Sequence, residues 1–428
     1  MSEFRGLVAI TRQLDFEPDL VAAAGDSGLL FVHESIGIAG VDVAGKIRLP
    51  RTGGADDAQT VRVALESIEC KGAPALAGVG VVALGALPFD PESSGELTIP
   101  AITIARCADG TNWLTTIGPA EDLPRERRIE SVLARAASVQ RGFSGDAAAA
   151  TVALAPSRFE VRPERPADEW CDAVAMVTER IAAGQARKVV LARAIEIIAD
   201  QPFRAGAVLA LLRRSFPASY LFSIDGFVGA TPELLVARDG DSVRSHPMAG
   251  TAPRSGDPVV DARLAAALLA SSNTIDEHRQ TIDMVHDALL PWCSYLDEED
   301  EPSIVAMANV QHLSTRIEGR LSSPAASVLE LVGALHPTPA VGGAPRAVAL
   351  EMIRELEGLD RGRYAGPVGW VDAAGNGTWA VGIRSAELDG TSARLFAGVG
   401  VVADSDPDTE LAETRAKLQA LLGAIVRP

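Results

Sequence analysis

Lysine is almost missing from these 428 residues. Only Lys46, Lys71, Lys188 and Lys417 occur, and arginine serves as the ordinary surface cation. Cysteine is as scarce: Cys70, Cys107, Cys171 and Cys293 are scattered without CxxC spacing, so neither a zinc site nor a disulfide framework is indicated, and a reducing cytoplasm fits. Basic residues are outnumbered, 39 Lys plus Arg against 57 Asp plus Glu, for a formal net charge of −18. Nucleic acid and anionic membranes call for a basic surface, so neither is expected as a partner, and any anionic substrate must meet a local basic pocket. No run approaches the roughly 18 uninterrupted apolar residues of a membrane span. The N-terminus lacks the charged-then-apolar pattern of a signal peptide, so a soluble protein that is not exported is expected. No internal repeat at a fixed period is visible.

What is present, 47% apolar residues, suffices for a substantial core. Short apolar runs at 29–32, 78–84 and 97–104, broken by Gly, Pro and Asp, predict that the first third builds a sheet, with a helix near 58–68. Periodicity predicts helices over 121–138, from about Pro166 to Gly184, and near 259–271 and 274–290. Strands are predicted at 187–193, 220–224, 226–230 and 234–238. The Pro/Arg/Glu-rich stretch 156–168 reads as a surface crossing, and the tail as a three-stranded meander turning at Gly375-Asn376-Gly377 and Asp389-Gly390. Helices alternating with antiparallel hairpins predict an α+β layered fold. The chain is expected to form one unit over 1–428, with a divergent part at 1–155 and a motif-rich part at 166–428.

The last forty residues are the most suggestive. A glycine-broken strand, Arg394 to Ala403 with Gly398 and Gly400, runs into a helix that Ser405 or Asp406 can cap and that Pro407 can begin. Leu411, Thr414, Leu418 and Leu421 make its buried stripe, and Glu410, Glu413 and Lys417 a second face. Two carboxylates three residues apart can converge on a hard cation, and oxygen ligation suits Mg²⁺; on its own, such a face is as readily a solvated surface. Lys188, inside the apolar run Lys188-Val-Val-Leu-Ala-Arg193, is either a general base whose charge burial disfavours or an edge lysine reaching water. Glu233, in Thr231-Pro-Glu-Leu-Leu235, could be turn decoration. Gly250 and Thr251 lie in a turn of small residues able to bind an anion or a hydroxyl. Glu277 borders the core stripe of its helix and could add an oxygen ligand.

Together these segments resemble the chorismate-utilising enzymes, and within them the isochorismate synthases. Lys188-Val-Val-Leu-Ala-Arg, Ala230-Thr-Pro-Glu-Leu-Leu, Pro247-Met-Ala-Gly-Thr, Glu277-His278, Leu335-His-Pro-Thr-Pro-Ala340-Val, Arg363-Tyr-Ala-Gly-Pro-Val-Gly-Trp, Gly382-Ile-Arg384-Ser-Ala, Ala397-Gly-Val-Gly-Val-Val and Glu410-Leu-Ala-Glu-Thr-Arg-Ala-Lys417 occur in the family's order. The resemblance is dense from Trp170 onward, and Gly85-Ala-Leu-Pro-Phe-Asp90 extends it into the first third. It implies the family's fold, large mainly antiparallel sheets layered with surrounding helices, and a Mg²⁺-dependent conversion of chorismate to isochorismate. Water attacks C2 while the C4 hydroxyl leaves.

By motif position Lys188 is the base that activates water and Glu233 the acid that protonates the departing hydroxyl. Glu277 and Glu413 match direct Mg²⁺ ligands, and Glu410 one that often acts through water. Arg384 matches the arginine on the enolpyruvyl carboxylate, with Tyr364 and the backbone of Gly398 to Gly400 beside it. Lys417 lies near the ring carboxylate, and Gly250 and Thr251 near the reacting hydroxyls. His312 falls in a family motif without an assigned step. Amino-transferring relatives differ at Lys188 or Ala249, and salicylate synthases, which go on to eliminate pyruvate, tend to have threonine at Ala340; the residues here favour water as nucleophile and isochorismate as product. Since the family is often monomeric and no apolar stripe argues otherwise, a monomer is expected. The divergent first seventy residues suggest no regulatory role.

Overall fold

The strand Lys188–Ala199 (KVVLARAIEIIA) has ten of its twelve residues buried, as its nearly unbroken apolar run requires of a strand covered on both faces. This computed structural model describes residues 4–121, 123–124, 126–137, 156–307 and 310–426. Among them, twenty strands join one hydrogen-bonded network, and Met248–Pro253, Ser303–Ala306 and Val310–Ser314 form a second sheet. Pairing is antiparallel throughout these residues except where Val8–Ile10 meets Glu69–Lys71. Helices lie around the sheets, and the class is α+β. Strands of the first third belong to the same network: Val82–Ala86 pairs with Pro367–Asp372, and Leu29–His33 with Tyr220–Ile224.

Along one edge Lys188–Ala199 pairs with Ser392–Val401 in an unbroken register from Ile198↔Ser392 to Val189↔Val401. Along the other it pairs with Phe159–Pro163 at one end and Gly343–Ala344 at the other. The stretch 156–168 therefore holds a strand and not only a surface crossing. Its outward residues are exposed because it is an edge, which erased the alternation a sequence pattern needs. The tail likewise differs from a three-stranded meander. Pro367–Asp372 pairs with Gly377–Val381, and Ser385–Asp389 with Ser392–Val401, as two separate hairpins whose inner strands pair with Leu234–Asp239 and Phe227–Thr231. Between the hairpins Arg384 holds φ = 51°, so the chain turns there instead of continuing as a ladder.

The last helix, Pro407–Val426, begins where expected. Asp406 caps it, its carboxylate accepting from the Thr409 amide at 2.9 Å, and Leu411, Thr414, Leu418 and Leu421 are all buried. Helix Ala167–Ala182 buries Trp170, Val174, Val177 and Ile181 against the sheet. Helix Pro258–Ala270 leaves Val259, Val260 and Leu269 exposed, an apolar surface that its sequence did not mark.

Candidate active site

All twelve site residues named from the sequence line one cavity of about 260 Å³. They arrive from separate elements. Lys188 comes from its strand, Glu233 from the link between two successive hairpins, Gly250 and Thr251 from the second sheet, and Glu277 from helix Ser272–Leu289. Tyr364 and Arg384 come from the turns before and after the first tail hairpin, Gly398 and Gly400 from Ser392–Val401, and Glu410, Glu413 and Lys417 from the last helix.

Two glycines are required by close packing. A Cβ at Gly400 would stand 2.4 Å from Lys188 Cε, so the residue that approaches this backbone is the lysine itself. Gly250 has φ = 76°, and a Cβ there would stand 2.4 Å from Thr274 Cγ2. Gly398 and Gly400 face Ala192 and Val190 in the register. The Val190 amide is turned away to Gly342 O and the Ala192 amide to Glu357. These are therefore the non-hydrogen-bonded pairs of the ladder, and the two glycine amides point outward from it. On that side the Gly398 carbonyl accepts from Lys417 Nζ at 2.8 Å.

The charges are arranged in pairs. Lys188 Nζ contacts Glu277 Oε1 at 2.6 Å, and Lys417 Nζ contacts Glu413 Oε1 at 2.7 Å. Glu410 accepts from Ser405 Oγ at 2.7 Å. The three carboxylates thus share a cavity without meeting, and among the described residues no group of three acidic, histidine or cysteine side chains is assembled for a metal. Burial pushes Glu410 up, partly opposed by Ser405. Lys417, largely buried, is pushed down by that burial, with the Glu413 carboxylate opposing and Arg384 adding to the shift.

Glu233 is the outlier. Burial lifts its carboxyl to about 8 even though Lys188 and Arg384 pull the other way, so it carries a proton at neutral pH. Burial also lifts Tyr364 to about 12, leaving it a hydroxyl donor, and lowers Arg384 from its ordinary value. His312 is held neutral, down at about 3, by burial and by the cations of Arg384 and Lys417. Its Nε2 faces an Arg384 nitrogen at 3.5 Å, and since arginine only donates, Nδ1 carries the hydrogen, beside Gly250 O at 3.3 Å and Thr251 Oγ1 at 3.0 Å. His312 therefore links Gly250 and Thr251 on one side of the cavity to Arg384 on the other.

The sequence did not single out Arg361, which also lines the cavity and is ion-paired with Glu357. An acid and a base four residues apart ordinarily read as a surface pair. Chemically, the cavity offers a neutral carboxyl, a lysine, an arginine and a second lysine for carboxylates, and three carboxylates for a hard cation.

Comparison with known proteins gives a consistent picture. A family model described as chorismate binding enzyme matches residues 31–426. The isochorismate synthase MenF of Bacillus subtilis (strain 168) is 36% identical over 364 residues, 81% of this chain and 75% of that protein. The isochorismate synthase EntC of Escherichia coli (strain K12) is 35% identical over 346 residues, 80% of each. Among solved structures, MenF, the menaquinone-specific isochorismate synthase from Escherichia coli, matches with a TM-score of 0.78 at 24% identity, covering 99% of this chain and 95% of that one; at this identity the likeness is one of fold.

Proposed function

We propose a reaction from one premise: this chain belongs to the chorismate binding enzyme family. It is an isochorismate synthase. The observation that carries the reading is that one cavity holds a carboxyl kept protonated by burial, Glu233, together with Lys188. The oxygen of water bonds to C2 of chorismate and its proton passes to Lys188. The ring double bonds shift and the C4–O bond breaks, and Glu233 gives its proton to the departing hydroxyl, which leaves as water. Lys188 must enter this step as a free amine, so its contact with Glu277 has to open first. Arg384, with its fork of donors, and the Tyr364 hydroxyl suit the enolpyruvyl carboxylate, and Lys417 suits the ring carboxylate. Thr251, held by His312, is placed for a ring hydroxyl. Incubation with chorismate and Mg²⁺ followed by chromatography of the products tests the reading. Isochorismate is expected, and salicylate with pyruvate as the main products would refute it; Ala340 stands in the cavity wall where that choice is expected to be made.

Glu277, Glu413 and Glu410 suit a Mg²⁺ ion in donor chemistry, since each is an oxygen ligand lining the same cavity; to converge on one cation they would have to exchange their contacts with Lys188, Lys417 and Ser405. When bound, the cation supplies positive charge for the substrate's ring carboxylate and offsets the carboxylate cluster. Glu277→Gln and Glu413→Gln are expected to lose turnover with the fold intact, because a carboxamide keeps the shape and lacks the charge. Full activity of either variant in excess chelator would remove the metal assignment.

Gly400→Ala gives a third check. Its Cβ would displace the flexible end of Lys188, leaving the backbone ladder in place. Turnover is expected to fall on the order of 10²-fold, the usual cost of a misplaced group, with little change in melting temperature. Wild-type turnover in this variant would free Lys188 of the geometry assigned to it.

The joining of the first third to the sheet supports one enzyme unit over 1–428, and the scattered free cysteines suit a reducing cytoplasm. Among the described residues no helix is long and apolar enough to cross a membrane.

A further inference from the structure

Strand Lys188–Ala199 has a gap in its second edge. Its first residues pair with Gly343–Ala344 and its last with Phe159–Pro163, but among the described residues no strand on this edge lies beside Val190 to Ala192, just after the lysine. A buried backbone cannot leave its N–H and C=O groups unpaired, so something else must meet them. Arg361 Nη2 donates to the Val190 carbonyl at 2.7 Å, and Glu357 Oε2 accepts from the Ala192 amide at 2.7 Å. The two side chains are themselves a bidentate pair, Nε to Oε1 at 2.6 Å and Nη2 to Oε2 at 2.5 Å, and both are almost wholly buried, at 3% and 0% exposure. Arg361 also donates to the Val341 carbonyl at 2.9 Å, its own carbonyl accepts from the Tyr364 amide at 2.9 Å, and its guanidinium lies 4.0 Å over the Phe89 ring.

We infer that Glu357 and Arg361 form a positioning pair that stands in for the missing strand and sets where Lys188 sits relative to the rest of the cavity. The pair ties together three separate walls: the lysine strand, the loop of Ala340 and Val341, and the turn of Tyr364. Its charges compensate each other, so it adds no net charge to the site, and no reacting atom needs to touch Glu357. A hydrophobic pair of similar size could fill the space but could not satisfy Val190 O and the Ala192 amide. This role rests on the isochorismate synthase reading.

Glu357→Gln is the direct test. Its carboxamide must present an NH₂ either to the Ala192 amide or to Arg361, donor against donor, so the splice opens. With chorismate and Mg²⁺, kcat is expected to fall on the order of 10²-fold, as for a misplaced catalytic group. The equilibrium Kd for chorismate should stay within about threefold, so the loss should appear in kcat and not in binding. Should the single variant not fold, Glu357→Leu/Arg361→Met, which leaves no unpaired buried charge, carries the same test. A folded variant with wild-type kcat overturns the positioning role. So does a loss of rate that only matches the lost fraction of chorismate-binding protein, since that is what a merely structural pair would give. A wild-type protein that makes no isochorismate sinks the reaction itself; an active wild type with indifferent variants sinks only the pair's role.

Discussion

Lys188→Gln and Lys188→Arg are both expected to abolish transfer of a water oxygen to C2 of chorismate while the protein stays folded. The glutamine stays polar, one atom shorter, and loses the base. The arginine keeps charge, but a guanidinium stays protonated at any working pH and cannot take a proton from water. It is also the larger group, in a slot that Gly400 leaves only just wide enough for lysine, where a Cβ would already stand 3.1 Å from Nζ. General-base contributions of about 10²–10⁴-fold set the scale of the loss. Added ammonia should not restore isochorismate, since the missing function is removal of a proton from water. In the wild type, isochorismate formed in ¹⁸O-labelled water at initial rate should carry the label at C2. An active Lys188→Arg enzyme would leave the lysine a purely electrostatic role, and an unlabelled C2 oxygen would refute substitution by water.

Glu233→Gln is expected to lower turnover by about 10²–10⁴-fold with chorismate binding retained, because only the proton for the leaving hydroxyl is gone. A loss of less than a few fold would place the acid elsewhere. The wild type should show the same requirement as a pH effect. Glu233 acts in its protonated form, so activity should fall as pH rises through about 8, the value to which burial lifts it. Stability should follow the same group. Well below its ordinary value of 4.5 the carboxyl is protonated in folded and unfolded chains alike. As pH rises from there toward about 8, the unfolded chain sheds this proton while the folded chain keeps it, so the contribution to stability is lost across that window. Glutamine does not titrate, and the melting temperature of Glu233→Gln should therefore fall less than that of the wild type over this range. Parallel pH curves for the two proteins would contradict the buried, protonated carboxyl.

Part of this protein could be read from the chain alone, where one segment's chemistry is local. The last helix is such a case: Asp406, Pro407 and the stripe Leu411, Thr414, Leu418 and Leu421 fix its start and buried face by spacing. The α+β class and the buried strand at Lys188 follow from local period and composition in the same way. The twelve site residues were identified by ordered motifs, and the structure brings them to one cavity.

Tertiary structure alone decided who pairs with whom, because pairing depends on distances across the fold and not on spacing along it. Glu410 and Glu413, three residues apart, looked ready to share one cation; in the folded chain they turn to Ser405 and Lys417, while Glu277, 136 residues before Glu413 in sequence, meets Lys188. The edge strand Phe159–Pro163 carries no alternating pattern because its outer face meets no core, and only its neighbour's register reveals it. Glu357 and Arg361, four residues apart just beyond the end of helix Arg346–Leu356, look like an ordinary surface pair. Burial inverts that reading, because the strand beside them has a gap and two backbone groups there needed partners.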